Sequence, residues 1–133
     1  MKKIEHIGIA VKNMEAANKT YQAILGSAPY KTEMVESEGV ATSFFKTGDS
    51  KIELLEALHE NSPIAKFIEK RGEGIHHIAF LVEDIHAEIK RLQKEGFKLL
   101  NETPKPGADN KLVAFMHPKD AHGVLVELCQ EKE

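Results

Sequence analysis

Tryptophan is absent, and aromatic residues make up only 6% of the chain, so there is little surface on which a planar ligand would stack. Cysteine occurs once, as Cys129, which excludes an internal disulfide and any CxxC metal or redox pair and suits a reducing compartment. No stretch approaches the roughly 18 consecutive apolar residues that span a bilayer. Glu5, His6 and Lys12 interrupt the N-terminal segment where an export signal would need its apolar core. Neither sign of charge dominates: 18 Lys and Arg against 21 Asp and Glu leave a net charge of -3, with no overall positive field to draw in nucleic acid or anionic lipid. These absences point to a cytoplasmic protein with neither a nucleic acid nor a membrane as partner.

What is present suits a packed globular chain. Apolar residues make up 41% of 133 positions, enough for one ordinary domain and too few for two independent ones. The chain resembles itself. His6-Ile7-Gly8-Ile9-Ala10-Val11 is followed by Lys12-Asn13 and Met14-Glu15-Ala16; 71 residues later, His77-Ile78-Ala79-Phe80-Leu81-Val82 is followed by Glu83-Asp84 and Ile85-His86-Ala87. Each copy reads as a buried strand entering an amphipathic helix. Asn13 and Asp84 are N-caps, and Gly26 and Gly96 supply the left-handed residue at the far ends. Met14, Ala17, Tyr21, Ile24 and Leu25 form one apolar stripe, and Ile85, Ile89 and Leu92 the other.

Short β-like runs follow each helix: 28–35, 40–46 and 51–57 in the first half, and 97–101, 112–116 and 124–130 in the second. Breaks rich in Gly, Pro and charge separate them. The fold class is therefore α+β: two tandem βαβββ modules, about 3–58 and 74–130, forming a curved mixed sheet around a shared cleft. A linking helix over about 62–71 starts at Ser62-Pro63, and residues 1–133 make a single domain. A module of about 60 residues buries too little apolar surface to stand alone.

The last strand of each module carries an acid among apolar residues, Glu53 in Ile52-Glu53-Leu54-Leu55 and Glu127 in Val126-Glu127-Leu128. With the first-strand histidines they make a quasi-symmetric set: His6, Glu53, His77 and Glu127. Four ionisable groups in apolar strands are costly to bury unless paired or bound to an ion. Imidazole nitrogen and carboxylate oxygen suit a divalent first-row cation such as Zn, Co, Mn, Ni or Fe, with one or two positions left for water or substrate. His76 points to the opposite face from His77 and reads as structural or as a support to the neighbouring ligands. His59 and His86 read as solvated, while His117 and His122 flank a loop as candidate contacts to substrate or a dimer partner.

Paired βαβββ modules with His and Glu ligands resemble the vicinal oxygen chelate superfamily. Five stretches are similar to its methylmalonyl-CoA epimerase family: Ile4 to Val11, Lys51 to Leu55, Ser62 to Phe67, Gly74 to Ile78, and Phe115 to Leu128 with its HPKD and GVLVEL segments. The resemblance spans almost the whole chain. It implies an isomerase that interconverts (R)- and (S)-methylmalonyl-CoA in propionyl-CoA metabolism, with the ligand pattern His, Gln or Glu, His and Glu falling on His6, Glu53, His77 and Glu127. The implied chemistry is removal of the α-proton of a thioester while a divalent cation stabilises the enolate, and return of a proton on the opposite face. Thr42 stands where certain members carry a carboxylate proposed as one base. Glu127, loosening from the metal, is the catalytic group expected here, with a bound water or a neighbouring polar group as alternatives. Lys105, Lys111 and Lys119 are loop lysines that would meet CoA phosphates.

A lyase resembling glyoxalase I applies the same metal logic to a glutathione hemithioacetal and is the nearest alternative; a non-catalytic small-molecule binder of the same superfamily is another. Glu53 as a fourth ligand argues against an extradiol dioxygenase, and the scarcity of aromatics argues against a drug-sequestering groove. Exposed edge strands favour a homodimer.

Overall fold

A computed structural model describes residues 1–132. Its elements follow the order β1 (Lys3–Ala10), α1 (Met14–Leu25), β2 (Lys31–Val35), β3 (Val40–Thr47), β4 (Ser50–Ala57), α2 (Pro63–Arg71), β5 (Gly74–Leu81), α3 (Ile85–Lys94), β6 (Lys105–Gly107), β7 (Lys111–Met116) and β8 (Leu125–Glu131). This is βαβββ written twice around a linking helix. The chain divides into two compact units, His6–His76 and Met1–Glu5 together with the chain from His77 onward.

In the unit His6–His76 the strand order is β2-β3-β4-β1. β1 runs parallel to β4, and the other pairs are antiparallel. One face is apolar because Ile9, Val11, Phe45, Ile52 and Leu54 alternate onto it, and Met14, Ala17, Tyr21 and Leu25 of α1 cover them. Ile24, on the margin of that stripe in the last turn, points outward and is 66% exposed. On the other face, Ile64, Phe67 and Ile68 of α2 pack on Ala10, Val40 and Leu55.

The second unit has the order β5-β8-β7-β6, with β5 parallel to β8. Its helix α3 buries Ile85, Ile89 and Leu92 against Leu99, Ala114, Met116 and Leu128. The opposite face collects Ala79, Leu81, Val113, Phe115 and Cys129.

Capping follows the repeat. Asn13 Oδ1 accepts from the Ala16 N–H at 3.0 Å and Asp84 Oδ1 from the Ala87 N–H at 3.1 Å. Ser62 Oγ accepts from the Ile64 N–H at 3.1 Å, with Pro63 following. Gly26 closes α1 with φ 79°, a conformation that a side chain disfavours. Replacing Asn13 or Asp84 by Ala is expected to cost about 1 kcal/mol each, read as a fall of about 3–5 °C in melting temperature for a chain of this size.

The run 97–101 is not a strand. Its backbone is divided among several partners: Phe97 N–H returns to Leu92 at the end of α3, Lys98 N–H goes to Asp120 Oδ2, and Leu100 N–H to Phe115 O. Asn101 then uses its side chain in place of a ladder, accepting from the Phe115 N–H and donating to Val113 O. The edge strand is Lys105–Gly107 instead, where Pro106 is tolerated because an edge leaves one N–H unpaired in any case. β2 likewise begins at Lys31, after Pro29.

Candidate metal-ligand pairs and family membership

Parallel pairing sets the first pair of ionisable groups. Gly8 lies opposite Glu53, so His6, two residues earlier on the same face of β1, is the diagonal neighbour of that carboxylate. His6 Nδ1 lies 3.0 Å from Glu53 Oε2. The second unit repeats this register: Ala79 lies opposite Glu127, and His77, two residues earlier, has Nε2 at 3.2 Å from Glu127 Oε1. The two pairs use different imidazole nitrogens. All four residues are buried, at 3–6% exposure. Each imidazole nitrogen sets a polar neighbour beside a carboxylate that would otherwise be buried among apolar residues.

The spacing within each pair fits a cation. Two ligand atoms about 2.1 Å from a common ion, at angles between square and tetrahedral, lie about 3.0–3.4 Å apart. Each pair therefore matches two adjacent positions of a coordination sphere, and the nitrogen and oxygen donors suit a borderline divalent ion.

A phenylalanine accompanies each pair. Phe44 lies opposite Glu53 across β3 and β4, and Phe115 opposite Glu127 across β7 and β8. An edge-strand lysine covers each ring, Lys31 Nζ at 4.8 Å from the Phe44 centroid and Lys105 Nζ at 5.8 Å from that of Phe115. Phe44 and Phe115, 71 residues apart like the histidines, extend the internal repeat beyond the ionisable groups.

Other polar residues take different places. His76 packs edge-on against Phe67, with centroids 4.9 Å apart. His59, His86 and His122 are exposed, while His117 Nδ1 accepts from the Lys119 N–H and so caps a short 3-10 turn. Lys111 is not a solvent-facing loop lysine: it starts β7, is 6% exposed, and its ammonium donates to Asp109 O at 3.2 Å. Lys105 and Lys119 are exposed. A cavity of about 440 Å³ beside the start of α1 is lined by Ile9, Val11, Tyr21 and Glu73 among others, and none of the four candidate ligands reaches it. Among the described residues no helix is long and apolar enough to cross a membrane.

Comparison with known proteins agrees with this architecture. The profile of the Glyoxalase/Bleomycin resistance protein/Dioxygenase superfamily matches residues 5–115. The chain is 45% identical over 130 residues to the ethylmalonyl-CoA/methylmalonyl-CoA epimerase of Cereibacter sphaeroides, covering 96% of this chain and 97% of that one. It is 41% identical over 129 residues to the human mitochondrial methylmalonyl-CoA epimerase, covering 96% and 73%. Of solved structures, methylmalonyl-CoA epimerase from Mycobacterium tuberculosis superposes with a TM-score of 0.93 at 36% identity, over 98% of this chain and 89% of that one. A methylmalonyl-CoA epimerase in complex with methylmalonyl-CoA and NH4+ superposes with a TM-score of 0.92 at 36% identity, over 98% and 95%. The chain belongs to the Glyoxalase/Bleomycin resistance protein/Dioxygenase superfamily and, within it, to the methylmalonyl-CoA epimerase family.

Proposed function

We propose that this protein interconverts the (R) and (S) epimers of methylmalonyl-CoA, as a divalent-metal-dependent isomerase. The observation that carries the reading is the pair of buried His–Glu contacts, His6 with Glu53 and His77 with Glu127, at matching register in a chain that aligns end to end with an epimerase of that substrate. We assign all four residues to one cation, Co, Mn, Zn or Ni, and read residues 1–133 as a single functional domain whose two modules each contribute two ligands. Supporting this is the duplication itself: each half supplies two donors, and two donors alone leave most of a coordination sphere to water.

A bound divalent ion supplies the positive charge that offsets the negative charge developing on the thioester oxygen as the α-proton leaves. The remaining work falls to the protein. His6, Glu53 and His77 hold the centre, and the apolar residues around them exclude water from a weakly acidic carbon. Glu127 is the assigned proton-transfer group. Its Oε1 already meets His77 Nε2, which leaves Oε2 as the atom that would take the α-proton from one face. Inversion also needs a proton delivered to the opposite face, by a second group or a water.

A homodimer that covers the edge strand β2, with Met34 67% exposed and Tyr30 just before it 49% exposed, is the assembly we propose. The buried lone thiol Cys129 is in keeping with a cytoplasmic setting.

The test is incubation of metal-loaded protein with (R)-methylmalonyl-CoA in deuterated water. Deuterium at the α-carbon and accumulation of the (S) epimer are expected. No exchange with any of the four metals, together with turnover of methylglyoxal and glutathione, moves the assignment to a lyase.

A further inference from the structure

Three buried side-chain oxygens among the described residues lack a hydrogen-bond partner: Asn18 Oδ1, Thr42 Oγ1 and Ser43 Oγ. Leaving a hydroxyl dry and unpaired costs free energy that a methyl of the same shape does not. An orphan of this kind in a folded chain calls for a reason.

Thr42 and Ser43 are neighbours on β3, so their side chains point to opposite faces of the sheet. Ser43 lies opposite Leu54, on the face that α1 covers. Thr42 shares its face with Phe44, whose partner across the strands is Glu53. That register makes Thr42 the diagonal neighbour of Glu53, about 7 Å away, roughly the width of a short acyl group. Its direct partners are Glu33 on β2 and Leu55 on β4. The hydroxyl is 1% exposed at residue level, as buried as the candidate ligands themselves.

From this placement we infer that the Thr42 hydroxyl is a substrate-binding group: it donates a hydrogen bond to an anionic oxygen on the acyl portion of a short branched dicarboxylic acyl-CoA. The inference rests on the epimerase reading. Neither Glu33 nor Leu55, its direct partners across the strands, pairs the hydroxyl, which leaves the bound ligand as the group that does. The hydroxyl is kept at some expense of stability because a hydrogen bond to an anionic oxygen in a dry site is worth more than one in water.

The test uses Thr42→Val, which keeps the shape and removes the hydroxyl, Thr42→Ser, which keeps the hydroxyl, and Ser43→Ala as a control on the opposite face, which α1 covers. Thr42→Val is expected to lower kcat/KM for methylmalonyl-CoA by about 10- to 100-fold, the loss of one hydrogen bond to a charged group, with a melting temperature equal to or above that of the unaltered protein. Thr42→Ser restores most of the rate, and Ser43→Ala leaves it unchanged. A Thr42→Val enzyme as active as the original overturns the inference, as does a Thr42→Ser enzyme no better than Thr42→Val. So does a lowered melting temperature in Thr42→Val, which marks the hydroxyl as structural. Absence of turnover in the unaltered protein overturns the epimerase reading itself, so the two failures are distinguishable.

Discussion

Glu127→Gln is expected to lower α-proton exchange by about 10³-fold or more, because it weakens an ion ligand and removes the basic oxygen assigned to carry the proton. The amide keeps the shape of the carboxylate beside His77 Nε2, which now lies 3.2 Å from Glu127 Oε1. The fold is therefore retained, as circular dichroism will record. Glu53→Gln makes the informative comparison. Glu53 holds the same relation to His6, at 3.0 Å, but the proposal gives it no proton to move. An amide oxygen remains a ligand, so the loss there is about 10- to 100-fold. Equal losses in the two variants would contradict the separate role assigned to Glu127.

Removal of the cation is the second large effect. Chelation is expected to depress turnover by at least about 10³-fold, the rate equivalent of several kcal/mol of charge stabilisation. Adding Co, Mn, Zn or Ni restores it. The protein does not unfold when stripped. Each histidine has its carboxylate partner within 3.0–3.2 Å, and the apolar clusters beneath α1 and α3 contain none of the four ligands. Melting stays cooperative, with a midpoint that rises as free metal is added, since an ion that binds only the folded chain stabilises it by mass action.

Much of this was legible in the sequence. β1 and β5 were plain because apolar residues continue on both sides of an alternating strand, and the caps at Asn13, Ser62 and Asp84 were plain because a short polar side chain precedes each helical stripe. The set of two histidines and two glutamates emerged from the repeat, whereas their pairing needed the register of the parallel strands. Elsewhere tertiary contacts override local pattern. Residues 97–101 carry a strand-like composition, yet Asn101 spends its amide on β7 and the edge strand moves to a segment containing Pro106. Lys111 looks like a solvent lysine until Asp109, with φ 58°, presents its carbonyl to the ammonium. The family resemblance marks the position of Thr42, but nothing in the sequence marks its hydroxyl as unpaired, since a threonine in a strand is ordinary. Only register and burial set its hydroxyl apart from that of Ser43.

Counting bound cations in the metal-saturated chain and in His6→Ala and His77→Ala, by elemental analysis after exhaustive dialysis, tests the shared-ion assignment most directly. The account predicts one ion per chain, lost from either variant. Two ions per chain, each variant losing only its own, or none in the unaltered protein, would contradict it.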